Sequence, residues 1–171
     1  MTMLRKVASI LVAASVAGYV VAAHAAPRLG PGDKLPEHLG VDRDGEAAES
    51  AKYLGRVVVV TFWASWCAPC RQELPRLDAI QRLAGKDKLQ VVAINIEDRK
   101  RFLQVSGALS SLAVTFTHDF GKEASETFGV HGIPHCVIVG RDGRIIAVHT
   151  GYDESQLDRI IGELNEALAA K

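Results

Sequence analysis

The sequence predicts an α/β fold, a central mixed β-sheet flanked by helices, and three patterns predict it. Two continuous runs of β-branched and apolar residues, Val57 to Trp63 and Leu89 to Ile96, have the pattern of strands buried on both faces. Segments with apolar residues at helical spacing follow each run, the alternation that builds parallel crossovers. Late in the chain, Arg141-Asp142-Gly143-Arg144 is a hairpin turn between two strand-like runs, which adds an antiparallel edge.

Element by element, residues 26–36 are rich in proline and glycine and form a loose lead-in, an N-terminal extension to the sheet. Asp44-Gly45 is a turn signal between two short strands. After the first buried strand, residues 70–84 place Leu74, Leu77, Ile80, Leu83 and Ala84 on one helix face, and Gly85 ends the pattern. The second buried strand leads to a helix over 98–112, with Phe102, Val105, Leu109 and Leu112 facing in. Val114 to Thr117 forms a short strand, and Ala124 to Phe128 a short helix closed by Gly129. Cys136 to Val139 is a third apolar strand, and the hairpin carries the chain back through Ile145 to Val148. Asp153 to Ala170 closes the chain as an amphipathic helix with Leu157, Ile160, Ile161, Leu164 and Leu168 inward.

The chain has 171 residues, the size of one domain, and its 48% hydrophobic content excludes general disorder. Its formal net charge of +0 offers no basic surplus for nucleic acid, which is not an expected partner. The N-terminus differs from the rest. Arg5 and Lys6 precede an apolar run that continues to Ala23, and Ala23-His24-Ala25 supplies small residues where signal peptidase cuts. Residues 1–25 therefore read as a secretory signal, with the domain over 26–171 and a periplasmic or otherwise extracytoplasmic destination. The other reading is an uncleaved anchor through residues 7–23. Removing residues 1–25 takes away two basic residues and no acid, leaving 18 basic against 20 acidic residues.

Three cysteines remain, Cys67, Cys70 and Cys136. A disulfide stabilises mainly by closing a long loop, and Cys67 with Cys70 would close almost none. Close spacing points to redox chemistry or metal binding instead. Thiol–disulfide exchange needs a partly ionised attacking thiol that is exposed, and a second thiol near enough to resolve the mixed disulfide. A Cys-x-x-Cys at the start of a helix meets both needs. The helix N-terminus stabilises a thiolate on Cys67, and Cys70 sits shielded one turn in. Half of a zinc site is the competing reading, though zinc wants four ligands and only Cys136 and six histidines are left to complete it.

Phe62-Trp63-Ala64-Ser65-Trp66-Cys67-Ala68-Pro69-Cys70 resembles the active-site segment of the thioredoxin superfamily, and more narrowly its exported TlpA/ResA-type thiol–disulfide oxidoreductases. Four features sharpen the match. Pro75 stands where the family's helix-kinking proline does. Glu73 matches a glutamate typical of the exported branch. Gly132-Ile133-Pro134 matches the segment carrying the family's cis-proline. Segment 98–112 resembles the branch's inserted helix. The resemblance covers residues 35–170. It implies a thioredoxin-like fold, a redox-active Cys67-Cys70 disulfide, and client docking at Ile133 and Pro134, with the backbone of Ile133 pairing with the bound peptide; Trp66, which could be a core aromatic, reads from its place beside Cys67 as part of the apolar rim where a client docks. It also implies reduction of client disulfides, such as apocytochrome c haem-site cysteines or metallochaperone thiols. A membrane electron donor would then re-reduce the dithiol. No cofactor or metal is expected. A peroxidase is excluded by Ala64, since no threonine precedes Cys67 by three residues.

Several residues keep two readings at this level. Glu73 is either a surface acid favoured by the helix dipole or a proton-handling group on the Cys70 face of its helix. The acid buried in cytosolic thioredoxins aligns with Thr61, which does not ionise and so cannot do acid–base work at neutral pH. Pro134 is a cis-proline by resemblance, or an ordinary trans proline at a strand start. Cys136 is a core thiol, or a third redox or metal-binding sulfur, while His135 next to it faces the opposite way, toward solvent. Two rival functions share the motif: a thiol oxidase or isomerase of the same fold, and a soft-metal carrier using the three cysteines.

Overall fold

The computed structural model describes residues 29–151 and 153–170. The predicted signal or anchor over residues 1–25 lies outside the described residues. Among those described, no helix is long and apolar enough to cross a membrane.

Among the described residues seven strands form one mixed sheet: β1 (His38–Val41), β2 (Ala47–Glu49), β3 (Val57–Trp63), β4 (Leu89–Asn95), β5 (Thr115–His118), β6 (His135–Val139) and β7 (Ile145–Thr150). Their order is β2-β1-β5-β4-β3-β6-β7. β3, β4 and β5 run parallel, and the outer pairings are antiparallel. Among the described residues there are four α-helices, α1 (Ala68–Ala84), α2 (Arg99–Ala108), α3 (Glu123–Phe128) and α4 (Glu154–Ala169). This is the α/β architecture that the two apolar runs and the late hairpin predict. β3 and β4 are buried at every position because both faces of the sheet are covered. Val57, Val59 and Trp63 of β3 face a core built with Leu74 and Leu77 of α1, Phe102 of α2, and Ile160 and Leu164 of α4. Val58, Val60 and Phe62 face a second core with Leu39, Ala124 and Phe128.

Four local expectations change. The lead-in is pinned rather than loose: Gly32 N–H donates to the Ile145 carbonyl at 2.8 Å, and Leu35 N–H to the Gly143 carbonyl at 2.9 Å. Leu83 is 88% exposed. Nine residues past Leu74 is two and a half turns at 3.6 residues per turn, so steps of three had carried the pattern to the opposite side of the helix. The buried positions there are Asp78 and Gln81 instead. The helix predicted over 98–112 stops at Ala108, and Leu109 and Leu112 reach the core from the turns that follow. His135 is 5% exposed and packs edge-on against Phe62, with ring centroids 5.9 Å apart. It does face away from Cys136, as strand alternation requires, but that side of the sheet is covered by α3 and the hairpin rather than open to solvent.

Candidate active site

β3 delivers the chain to the dithiol at the C-terminal edge of the parallel strands. Trp63 and Ala64 are buried, and the chain turns through Ser65 and Trp66 into Cys67. Cys67 is the N-cap of α1, and its Sγ accepts a hydrogen bond from the Cys70 N–H at 3.2 Å. Pro69 falls in the first helical turn, where a missing N–H leaves no bond unmade. Cys67 and Cys70 are joined in a disulfide, with Cα atoms 5.3 Å apart. The expectation of an exposed Cys67 is corrected in degree: it is 5% exposed against 0% for Cys70. Trp66 beside it is 68% exposed, so a large apolar surface borders the reactive pair.

The turn before Cys67 is fixed by a residue that sequence patterns did not single out. Glu97 accepts the Ser65 N–H at 2.5 Å and the Ser65 hydroxyl at 2.8 Å. Burial pushes its carboxyl up, but bonds from Ser65 and Asn95 and the Arg101 charge outweigh burial and hold it below the usual carboxylate range. The only signal for this contact is register: Trp63 pairs with Asn95, so the residues just past β4 meet those just past β3.

Glu73 is not a surface acid. It is fully buried, one helical turn beyond Cys70, and its Oε2 accepts the Thr61 hydroxyl at 2.7 Å. Its Oε1 has no partner among the described residues. Burial raises its pKa to about 7, with the Thr61 bond pulling the other way. Thr61, at the place of the cytosolic acid, therefore serves as the hydroxyl donor to a carboxyl arriving from the helix.

The Ile133–Pro134 bond is cis. β6 runs antiparallel to β3 with Thr61 opposite Cys136, and continuing that register sets Pro134 opposite Trp63. The Ile133-Pro134 segment thus lies beside the strand end that leads to Cys67. Burial pushes the His135 pKa down to about 4, with His131 adding to the effect, so this imidazole stays neutral at ordinary pH. Cys136 is free and buried; burial, then Glu73, then Glu163, push its thiol well above the usual range. Among the described residues no group of three or more His, Cys, Asp or Glu side chains is placed to hold a metal ion.

A mixed sheet with a Cys-x-x-Cys disulfide at a helix N-terminus and a cis-proline segment beside it defines a thioredoxin-like thiol–disulfide oxidoreductase. The chain belongs to the Redoxin family, whose model matches residues 30–164. It is 33% identical over 123 residues to the thiol:disulfide interchange protein CycY of Rhizobium leguminosarum bv. viciae, covering 67% of this chain and 64% of that one. It is 24% identical over 126 residues to the thiol-disulfide oxidoreductase ResA of Halalkalibacterium halodurans, covering 74% and 72%. Among solved structures, a putative thiol:disulfide interchange protein DsbE from Chlorobium tepidum superimposes with a TM-score of 0.72. That match is 26% identical and covers 82% of this chain and 99% of the other. The chain is therefore an oxidoreductase of the TlpA/ResA-like kind that its active-site segment resembles.

Proposed function

We propose that this oxidoreductase is exported and reduces disulfides in client proteins, cycling between a Cys67/Cys70 dithiol and the disulfide. The observation that carries the reading is Glu73, a carboxyl fully buried beside Cys70 with a pKa near 7. An acid so placed can take a proton and return it at neutral pH. Its negative form also opposes a thiolate nearby, whereas a strong oxidant needs its thiolate strongly stabilised.

In the reductive cycle the Cys67 thiolate, held at the N-terminus of α1, attacks a client disulfide and forms a mixed disulfide. One client sulfur leaves as thiolate and takes a proton. Cys70 gives its proton to Glu73 and attacks Cys67 Sγ, releasing the second client sulfur, which is protonated in turn. Two electrons have passed to the client, and Cys67–Cys70 is the disulfide of the structure. Trp66 and the Ile133-Pro134 segment form the client's landing, with the Ile133 backbone pairing as an added strand. Clients of the apocytochrome c or metallochaperone type follow from the family resemblance, as does a membrane donor that re-reduces the dithiol. Residues 1–25 are the export signal, with cleavage after Ala25.

The deciding measurement is the reduction potential of the Cys67/Cys70 pair, equilibrated against glutathione. A reductant lies near the thioredoxin end, about −270 mV, and a value near −120 mV would establish an oxidase instead. Cys70→Ser is expected to accumulate a mixed disulfide with clients through Cys67, recovered from periplasmic extract under acid quench. N-terminal sequencing of that same material is expected to begin at Ala26.

A further inference from the structure

Cys136 takes no part in that cycle, yet its surroundings are more polar than a core thiol needs. It pairs in register with Thr61 of β3 on one side and with His149 of β7 on the other. Residues directly opposite across an antiparallel ladder share a face, so Thr61, Cys136 and His149 form one row. The rest of that face is apolar where it packs on α1 and α4: Val59, Ile138, Leu74, Ile160 and Leu164. A carboxyl from a helix closes each end of the row. Glu73 of α1 accepts from Thr61 at 2.7 Å, and Glu163 of α4 lies 2.7 Å from His149 Nε2.

The two ends differ in access. Glu73 is sealed, and Cys136 is 1% exposed. The side chains of His149 and Glu163 are 11% and 32% exposed, on the edge strand of the sheet. A proton that Glu73 takes from Cys70 must leave before the next turnover, and at the dithiol end Cys67 and Cys70 are themselves 5% and 0% exposed.

We propose that Cys136, His149 and Glu163 form a proton path that connects Glu73 to solvent along this row. The inference rests on Glu73 serving Cys70 as base. The carboxyl proton of Glu73 passes toward Cys136 by way of the Thr61 hydroxyl. As Cys136 accepts it on sulfur, its own S–H proton goes to His149 Nδ1. His149 releases its Nε2 proton to Glu163, and Glu163 gives it to water, so no step leaves charge on Cys136. Neighbouring side chains in such a row stand about 5 Å apart at Cβ, a gap that one side-chain rotation or one water closes. The charged and titratable groups facing Cys136 are Glu73 from α1, Glu163 from α4 and His149 from β7. Flanked by two carboxylates and buried, the thiol keeps its proton between transfers and stays a donor at working pH.

The test follows repeated turnover in the full protein, as the steady-state rate of client-thiol release from a cystine peptide with dithiothreitol as the reductant, from pH 5.5 to 9 in H2O and D2O. Cys136→Val and Glu163→Gln are expected to slow release near pH 7 by about threefold to tenfold, less than the hundredfold that follows loss of an acid–base group itself. Both should alter the pH profile and the solvent isotope effect, while alkylation of Cys67 by iodoacetamide is unchanged. Cys136→Ser, which keeps an exchangeable proton, is expected to retain the native profile. The Glu163 side chain is a third exposed, so its substitution separates the path from any folding defect at Cys136. Native profiles in both Cys136→Val and Glu163→Gln, or equal slowing in Cys136→Ser and Cys136→Val, would overturn the path. Glu73→Gln distinguishes the two levels: a native profile there removes the base on which the path depends, whereas slow release in Glu73→Gln with native Cys136→Val and Glu163→Gln removes the path alone.

Discussion

At Glu73 burial and ionisation oppose each other, and the balance is measurable as stability. The folded protein raises this carboxyl from 4.5 to about 7. Between those values the native state holds a proton that the unfolded chain has released, so stability is fully present below pH 4.5 and falls as pH rises to about 7. The rise corresponds to roughly 3 kcal/mol. Urea titrations of the oxidised protein at a series of pH values are expected to show that decline, and Glu73→Gln to flatten it. Thr61→Val removes the hydroxyl bonded to the carboxylate, and that bond lowers the pKa. The variant is therefore expected to titrate above the native value, read from the carboxyl signal of Glu73 by NMR. The i, i+3 spacing placed Glu73 on the face of Cys70, and so was legible in the sequence. Its complete burial was not, because burial depends on β3 passing beneath that helix turn.

Among the elements, α1 does more than carry the dithiol. Its buried polar residues tie the second buried strand and the segment after α2 to one another. Gln81 accepts the Val91 N–H at 2.6 Å and donates to the Ala113 carbonyl at 2.8 Å. Asp78 accepts the Ala113 N–H at 2.6 Å. β5 begins only at Thr115, so Val91 lies where β4 lacks its ladder neighbour on that side, and the glutamine stands in for it. Gln81→Ala strands a buried donor and a buried acceptor. The expected loss is roughly 2–4 kcal/mol, or about 5–10 °C in Tm by calorimetry, with the reduction potential unchanged. Apolar spacing alone put Leu83 on this face. A pattern of threes cannot separate two sides of a helix over nine residues, and only the packed neighbours show that the carboxylate of Asp78 and the amide of Gln81 take the place of leucine there.

Over the whole molecule, the N-terminal hairpin of β1 and β2 extends the sheet past β5 by a narrow contact. Gly40 crosses β5 at a φ of 86°, and a Cβ there would stand 2.7 Å from the His118 carbonyl oxygen. Gly40→Ala is expected to cost about 2–4 kcal/mol from strain and collision together. Hydrogen exchange should show protection lost in β1 and β2 and kept in β3 and β4, where both sheet faces are covered. Turnover should persist, since the dithiol stands on β3 and α1.

The sequence by itself determined the fold class and the chemistry. Buried strands, amphipathic helices and turns are written in local periodicity, and Cys67 and Cys70 lie three residues apart at a helix start. Their setting was decided by tertiary structure alone. Thr61 meets Glu73, Ser65 meets Glu97, and Cys136 lies between Thr61 and His149 because strands distant in the chain pair in one register. Local spacing reports which face a residue occupies, while register and helix packing report what it meets there. For a buried acid the second of these sets its pKa, and with it the direction in which a proton can move.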